Sequence, residues 1–136
     1  STVAREEKFG VGADKNRELP IEGMHFFTPL KGAVALGFDV TLHPGVDIAA
    51  PEGSVVCAAL DGTVISAGWT DEAAYSVVMQ HQGNIITCYR GNRHLMVRTG
   101  DKVAAGKPLA ATGGDHLCFQ IWHEGQAVNP ADYVKF

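Results

Sequence analysis

Two short segments carry the side chains best suited to chemistry. His43 and Asp47 lie four residues apart in His-Pro-Gly-Val-Asp. Pro44 removes a backbone donor and disfavours helix at the preceding residue, and Gly45 permits a sharp turn. The pattern predicts a turn that runs into a strand and aims an imidazole and a carboxylate at one point. Both groups are common zinc ligands, although a single His-x-x-x-Asp is weak evidence for a site.

The second segment reads His-Leu-Cys-Phe-Gln-Ile-Trp over residues 116–122. Side chains alternate between the two faces of a β-strand, so His116 and Cys118 share one face. Leu117 and Phe119 share the other face. This alternation predicts two metal-competent side chains over an apolar backing. A buried cysteine beside an exposed histidine is the plainer interpretation of the segment taken alone.

The elements that must position these side chains are short strands. After Met24, apolar runs are separated by turn residues at roughly the 8–12 residue spacing of an all-β domain. No window of about a dozen residues keeps a 3.6-residue apolar period. We therefore predict an all-β fold, with a single-domain antiparallel β-sheet core. The strand-like runs, rich in β-branched and aromatic residues, are 54–60, 63–67, 75–81, 85–90 and 117–122.

Composition and charge narrow the classes of protein. The chain has 136 residues, of which 46% are hydrophobic and 19% charged, which suits one domain with its own core. Its net charge of −4, without a cluster of Lys and Arg, argues against binding nucleic acid. No apolar run approaches the roughly 20 residues of a membrane-spanning helix, so no transmembrane segment is predicted in this chain. Three cysteines without a Cys-x-x-Cys pair argue against a zinc ribbon and leave a Cys57–Cys88 disulfide open.

The beginning of the chain differs from the rest. Residues 1–22 are rich in charged side chains and contain Gly10 and Gly12, which disfavour a helix. We predict a linker or loosely docked N-terminal arm over residues 1–22. One β domain is predicted over residues 23–136.

Several motifs, in order along the chain, resemble the lysostaphin-type (LytM-like) zinc metallopeptidases. The resemblance covers nearly all of the predicted domain, from about Phe26 to Phe136. Because several separate motifs occur in the family's order, the resemblance is specific. The motifs are FTPLKG at 27–32, HPGVDIAAPEG at 43–53, ALDGTV at 59–64, VRTGDKV at 97–103, AGKPL at 105–109, HLCF at 116–119 and GQAVNP at 125–130.

The resemblance implies a compact antiparallel β-sheet core with a groove that holds a single Zn²⁺. In the family this ion activates water to cut peptide cross-links of bacterial peptidoglycan. The positions that match the family's metal ligands are occupied by His43, Asp47 and Cys118. His116 falls on a catalytic histidine that orients the water or stabilises the oxyanion. Tyr75 matches a groove tyrosine, and Tyr89 is assigned to the same substrate-binding wall, with packing as the plainer interpretation of both.

This chain departs from the family pattern in three places. Cys118 replaces a histidine ligand, and a thiolate binds zinc but donates more electron density, which predicts a weaker Lewis acid. Gly91 stands where the family carries another catalytic histidine, and losing a positioned acid–base group typically lowers a rate by about 10²–10⁴. The glycine-rich loop before His116 is shortened to residues 112–115. These departures make the chain a degenerate member of the family.

The sequence leaves three functions open. We predict a bacterial envelope domain with impaired catalysis, that is, a pseudoenzyme. Its predicted role is to bind or regulate peptidoglycan or an envelope partner protein. The alternative is an active zinc metalloendopeptidase that cleaves peptidoglycan peptide cross-links. A third reading is a structural module without affinity for metal or glycan. The predicted location is extracytoplasmic, in the periplasm or cell envelope, with the signal segment absent from this chain.

Overall fold

One antiparallel β-sheet contains all ten strands found in residues 20–136, the part of the chain that the computed structural model describes. The all-β prediction is confirmed, and each of the five predicted runs overlaps an observed strand. Two single-turn 3-10 helices, Ile21–Gly23 and Pro130–Asp132, flank the sheet in sequence. The strands are β1 Val34–Leu36, β2 Val46–Ala49, β3 Val55–Cys57, β4 Gly62–Thr70, β5 Ala74–His81, β6 Ile85–Leu95, β7 Lys102–Val103, β8 Pro108–Thr112, β9 His116–His123 and β10 Gln126–Val128.

The strand order brings distant segments together. The main path is β1-β2-β9-β6-β5-β4-β7, with β10 paired to β9 and with β8 bridging β3 and β6. The two motif strands β2 and β9 are therefore direct neighbours, with Asp47 opposite Cys118. On the other side of β9, Cys118 lies opposite Arg90 of β6. A single row of side chains thus crosses three strands on one face of the sheet.

The opposite face of the same strands forms the core. Val46 lies opposite Phe119, and Phe119 lies opposite Tyr89 in the adjoining strand. All three are at most 1% exposed. Leu117 is also fully buried, which confirms the predicted apolar backing of β9. Because consecutive residues face opposite sides, burying this row commits its neighbours to the other face.

Tyr89 corrects one of the predicted substrate contacts. It is fully buried, and its ring packs against Phe119 with the centroids 5.3 Å apart. The phenol oxygen accepts a hydrogen bond from the backbone N–H of Ala59 and is hydrogen bonded to Thr87, each at 2.9 Å. The assignment of Tyr89 to a substrate-binding wall is wrong, because strand alternation points this side chain into the core.

The predictions on the N-terminal arm, on membrane-spanning segments and on the cysteines can be compared with residues 20–136. Residues 1–19, most of the predicted arm, lie outside the described residues, so the boundary between arm and domain stays a prediction. Ile21 is 3% exposed and packs into the core. Within residues 20–136, no helix is long and apolar enough to cross a membrane. All three cysteines lie in the described part and are free thiols.

A buried histidine extends the hydrogen bonds of Tyr89. His81 is 6% exposed and donates from Nδ1 to the carbonyl oxygen of Asp61 at 2.7 Å. Since a carbonyl can only accept, Nδ1 carries the proton, and Nε2 of the neutral ring accepts from the Thr87 hydroxyl at 2.7 Å. Protonating Nε2 would place a second donor against Thr87 and reverse this chain of hydrogen bonds. Burial also disfavours the charged form of the ring and therefore lowers the pKa of His81.

This geometry predicts how stability depends on pH. Because the pKa of His81 is lower in the folded protein, the unfolded chain binds more protons below the ordinary value of 6.5. The stabilising contribution of neutral His81 is fully present above pH 6.5. As the pH falls below 6.5, the free energy of unfolding should decrease. Urea unfolding at about pH 7.5 and about pH 5 should show a smaller decrease for His81→Gln than for wild type. Equal decreases in the two proteins would contradict the assignment, since the other titrating groups are common to both.

Candidate metal centre and groove

A tight turn places the first histidine. The backbones of Asp39 and His43 exchange two hydrogen bonds, of 2.8 and 2.9 Å. The Asp39 carboxylate accepts from the N–H groups of Thr41 and Leu42, both at 2.9 Å, which closes the turn between them. The same hydrogen bonds lower the pKa of Asp39. The chain enters β2 three residues after His43, as the sequence predicted for a turn that runs into a strand.

Gly45 lets this turn approach β9 closely. A Cβ atom built on Gly45 would lie 2.5 Å from the carbonyl oxygen of Phe119 and 2.7 Å from Cγ of Gln120. Real Cβ atoms do not approach a backbone oxygen this closely. The absence of a side chain therefore sets the separation between the His-Pro-Gly-Val-Asp segment and the strand that carries Cys118.

The structure brings the three predicted metal ligands together. His43, Asp47 and Cys118 each offer one ligand atom, and these atoms all lie within 4.8 Å of one another. Nε2 of His43 is 3.1 Å from Oδ1 of Asp47. All three side chains are half-buried rather than free in solvent. Two of them come from opposite residues of the β2–β9 pair, and the third comes from the turn that precedes β2.

The donor set fits a zinc ion. Nε2 of His43 is buried and makes no hydrogen bond, despite its short distance to Asp47. A buried nitrogen without a partner typically costs about 1–3 kcal/mol, which coordination to a metal would relieve. Imidazole nitrogen, carboxylate oxygen and thiolate sulfur are all ordinary zinc ligands, and three protein ligands with one open position are typical of catalytic zinc sites.

The electrostatics of Cys118 are consistent with a site for a cation. Burial is the main cause that raises the pKa of its thiol to about 11, and the charge of the adjacent Asp47 and a hydrogen bond to it act in the same direction. Arg90 and Gln120 act in the opposite direction. Because an ionised thiol and an ionised carboxyl repel each other, a cation between them would stabilise both.

His116 lies beside this cluster and is half exposed. Its Nε2 is 3.6 Å from Oδ2 of Asp47, and its Nδ1 is hydrogen bonded to the Asp115 carboxylate at 2.9 Å. This hydrogen bond lowers the pKa of Asp115. Since a carboxylate can only accept, Nδ1 is the donor, and Asp115 orients the ring so that Nε2 faces the cluster. Asp115 comes from the shortened loop before β9.

A groove of about 360 Å³ is lined by the three predicted metal ligands and by His116. Its walls include the segment from Asp71 to Ala74 at the β4–β5 turn, and its floor includes Arg90 and Gly91 of β6. A larger cleft, of about 700 Å³, lies beside β4 and β7, and none of the predicted site residues lines it. The chemistry-bearing residues therefore share the smaller groove.

A β-bulge explains why two consecutive residues of β6 line the groove. Ser76 pairs with Arg90 and Tyr75 pairs with Asn92, so Gly91 is the extra residue. Its φ of 97° lies in the left-handed region that favours glycine. The nearest atom to a Cβ built on Gly91 would be the carbonyl oxygen of His116, at 3.4 Å. A side chain at this position would therefore start beside His116.

Tyr75 lies next to the groove wall. It is 38% exposed, and its ring contacts Trp69 edge-on with the centroids 5.2 Å apart. The adjacent Ala74 lines the groove. The substrate-binding role of Tyr75 stays a prediction. Arg90 was not among the predicted site residues, although its place follows from the alternation that buries Tyr89.

The sequence of the chain is similar to those of known proteins. The sequence profile of Peptidase family M23 matches residues 41–130. The murein hydrolase activator EnvC of Escherichia coli (strain K12) is 36% identical over 96 residues, which are 66% of this chain and 23% of the relative. A protein named lipoprotein NlpD/LppB homolog, from Pseudomonas aeruginosa, is 37% identical over 101 residues, which are 69% of this chain and 34% of that one. The chain thus spans about a quarter to a third of these curated relatives.

The fold is shared with a solved peptidase. The structure of the antimicrobial peptidase lysostaphin from Staphylococcus simulans matches with a TM-score of 0.66 and 24% identity. The match covers 78% of this chain and 49% of lysostaphin. The predicted lysostaphin-type fold and family resemblance are confirmed.

The close approach at Gly45 can be tested by substitution. Gly45→Ala forces a Cβ into the backbone of β9 and should lower the free energy of unfolding by about 1–3 kcal/mol, as overpacking typically does. Gly68→Ala is the matched control, because a Cβ on this strand glycine meets no atom within 4 Å. Urea unfolding measures both. A stability loss at Gly68 equal to that at Gly45 would show that close packing is not the cause.

Proposed function

Because the chain belongs to Peptidase family M23, we propose that it is an extracytoplasmic domain of the periplasm or cell envelope with impaired hydrolytic activity. In this proposal it binds peptidoglycan or an envelope partner protein, or acts as a regulator of cell-wall hydrolysis. The observation that carries the proposal is the glycine beside His116 in the groove.

Gly91 gives the groove no acid–base side chain at this position of β6. The family resemblance assigns a catalytic histidine to this position, and a Cβ built here would lie 3.4 Å from the backbone carbonyl oxygen of His116. Glycine can neither move a proton nor stabilise an oxyanion. The left-handed backbone also favours glycine, so the bulge is adapted to the residue that is present. The expected loss in rate is about 10²–10⁴.

Sequence similarity supports a role in regulation. EnvC is named a murein hydrolase activator, and it is 36% identical to this chain over 96 residues. The aligned segment contains little more than a fifth of EnvC. The proposed regulatory role therefore concerns this domain and not any other function of full-length EnvC.

The proposal includes a zinc ion held by His43, Asp47 and Cys118. When bound, zinc would supply a Lewis acid at the groove floor. His116, oriented by Asp115, would present Nε2 to the same space and could hold a proton there. In an impaired enzyme, the ion would chiefly fix the turn before β2 against β9.

A working zinc metalloendopeptidase is the second candidate, and a specific observation favours it. The three ligand atoms converge within 4.8 Å, and His116 lies 3.6 Å from Asp47. One histidine, oriented by a carboxylate, is therefore retained beside a complete set of ligands. In this case the enzyme would cleave peptidoglycan peptide cross-links with His116 as its acid–base group.

Zinc binding tests the ligand set. Asp47→Ala and Cys118→Ser should each weaken zinc binding by about tenfold or more, since even changes behind the ligands typically cost 10–100-fold. Cys88→Ser is the matched control, because Cys88 is another half-buried free thiol outside the cluster. Competition with a chromogenic chelator gives the affinities, and cobalt substitution should give a thiolate charge-transfer band that only Cys118→Ser removes. Equal zinc binding by all four proteins would exclude this site.

Hydrolysis separates the two candidate functions. Purified cell walls incubated with the zinc-loaded chain should keep their turbidity, because position 91 of the groove carries glycine and no acid–base side chain. The His116→Ala variant should give the same trace as wild type. Clearing by wild type and none by His116→Ala would overturn the proposal of impaired catalysis and establish the endopeptidase.

A further inference from the structure

Arg90 is a cation on the floor of the groove. It lies opposite Cys118 of β9 on one side and opposite Ser76 of β5 on the other. It is half-buried and lines the same groove as His43 and His116. The register of the sheet, rather than a flexible loop, holds its backbone in this place.

No carboxylate of the described residues pairs with this guanidinium. Within residues 20–136, the ion pairs at or below 4.0 Å involve other cations, such as Arg93, which lies 3.2 Å from Glu52. Asp71 and Glu72 line the groove but form no such pair with Arg90.

The chemistry of a guanidinium defines what it would bind. Its planar donors match a carboxylate in a bidentate arrangement, and a pair of this kind is stronger in a half-buried groove than in open water. Gly91 contributes no side chain beside it, so a ligand can approach the groove floor. Three carboxylates, those of Asp47, Asp71 and Glu72, line the groove together with Arg90, and their negative charge disfavours an anion placed away from this guanidinium.

We infer that Arg90 makes the groove a binding site for a carboxylate group of a peptidoglycan peptide. The inference rests on the proposed function in its peptidoglycan-binding form. A groove of about 360 Å³ lies at the small end of ligand pockets and suits a short peptide. A stable protein partner would need about 800 Å² of surface on each side, which the groove alone does not offer. Arg90 is thus the residue that determines specificity for the acidic part of the ligand.

Binding to purified peptidoglycan sacculi tests this inference. Arg90→Gln should weaken cosedimentation about tenfold, and Arg90→Lys, which keeps the charge but not the fork of donors, should fall between. Arg98→Gln is the matched control, because Arg98 is exposed and does not line the groove. Sacculi whose carboxyls have been converted to amides with a carbodiimide and ammonium should bind wild type as weakly as untreated sacculi bind Arg90→Gln.

Whether amidation weakens or strengthens binding distinguishes carboxylate recognition by Arg90 from repulsion between the net charges of chain and wall. The chain carries a net charge of −4, so general charge effects predict stronger binding once the wall loses its carboxylates. Stronger binding after amidation, or equal binding of wild type and Arg90→Gln to untreated sacculi, would overturn the inference and leave peptidoglycan binding standing. Absence of wild-type binding to sacculi would overturn the peptidoglycan-binding function together with the inference. An Arg90→Gln defect seen only with a partner protein would also count against it.

Discussion

The register of three antiparallel strands controls both the core and the groove. Asp47 lies opposite Cys118, and Cys118 lies opposite Arg90, so the chemically active row depends on two strand pairings. The adjacent row, with Phe119 at its centre, is fully buried. A shift of one residue in either pairing would place charged side chains in the core. The hydrophobic effect that buries Phe119 and its neighbours therefore also holds the predicted metal ligands Asp47 and Cys118 in place.

Local rules account for what the sequence predicted well. The turn at His43 follows from Pro44 and Gly45, whose backbone preferences act over two or three residues. The shared face of His116 and Cys118 follows from the alternation of a strand. Neither rule says that the two segments meet. Their convergence was supplied by the family resemblance, since non-local pairing of β2 with β9 leaves no mark on either segment alone.

The errors and omissions come from non-local pairing as well. The prediction that Tyr89 lines the same wall as Tyr75 is wrong, because its partner across the sheet is Phe119 on the core face. Arg90 was overlooked for the same reason, since the face of one residue determines the face of the next. The bulge at Gly91 adds an irregularity that breaks simple alternation. Identifying it requires the partner strand, because a bulge is defined by two residues opposing one.

The bulge also connects two of the departures from the family pattern, Gly91 and the shortened loop before His116. Gly91 adopts a φ of 97°, and its N–H donates to the carbonyl oxygen of Ala73 while its own carbonyl accepts from Gly113. These contacts tie the floor of the groove to the β4–β5 turn and to the shortened loop before His116. Placing a side chain at Gly91 would disturb the backbone at a point where two groove walls meet, so a histidine substituted here would introduce strain. Arg90 directly precedes Gly91, so the strand pairing that creates the bulge also places this guanidinium in the groove.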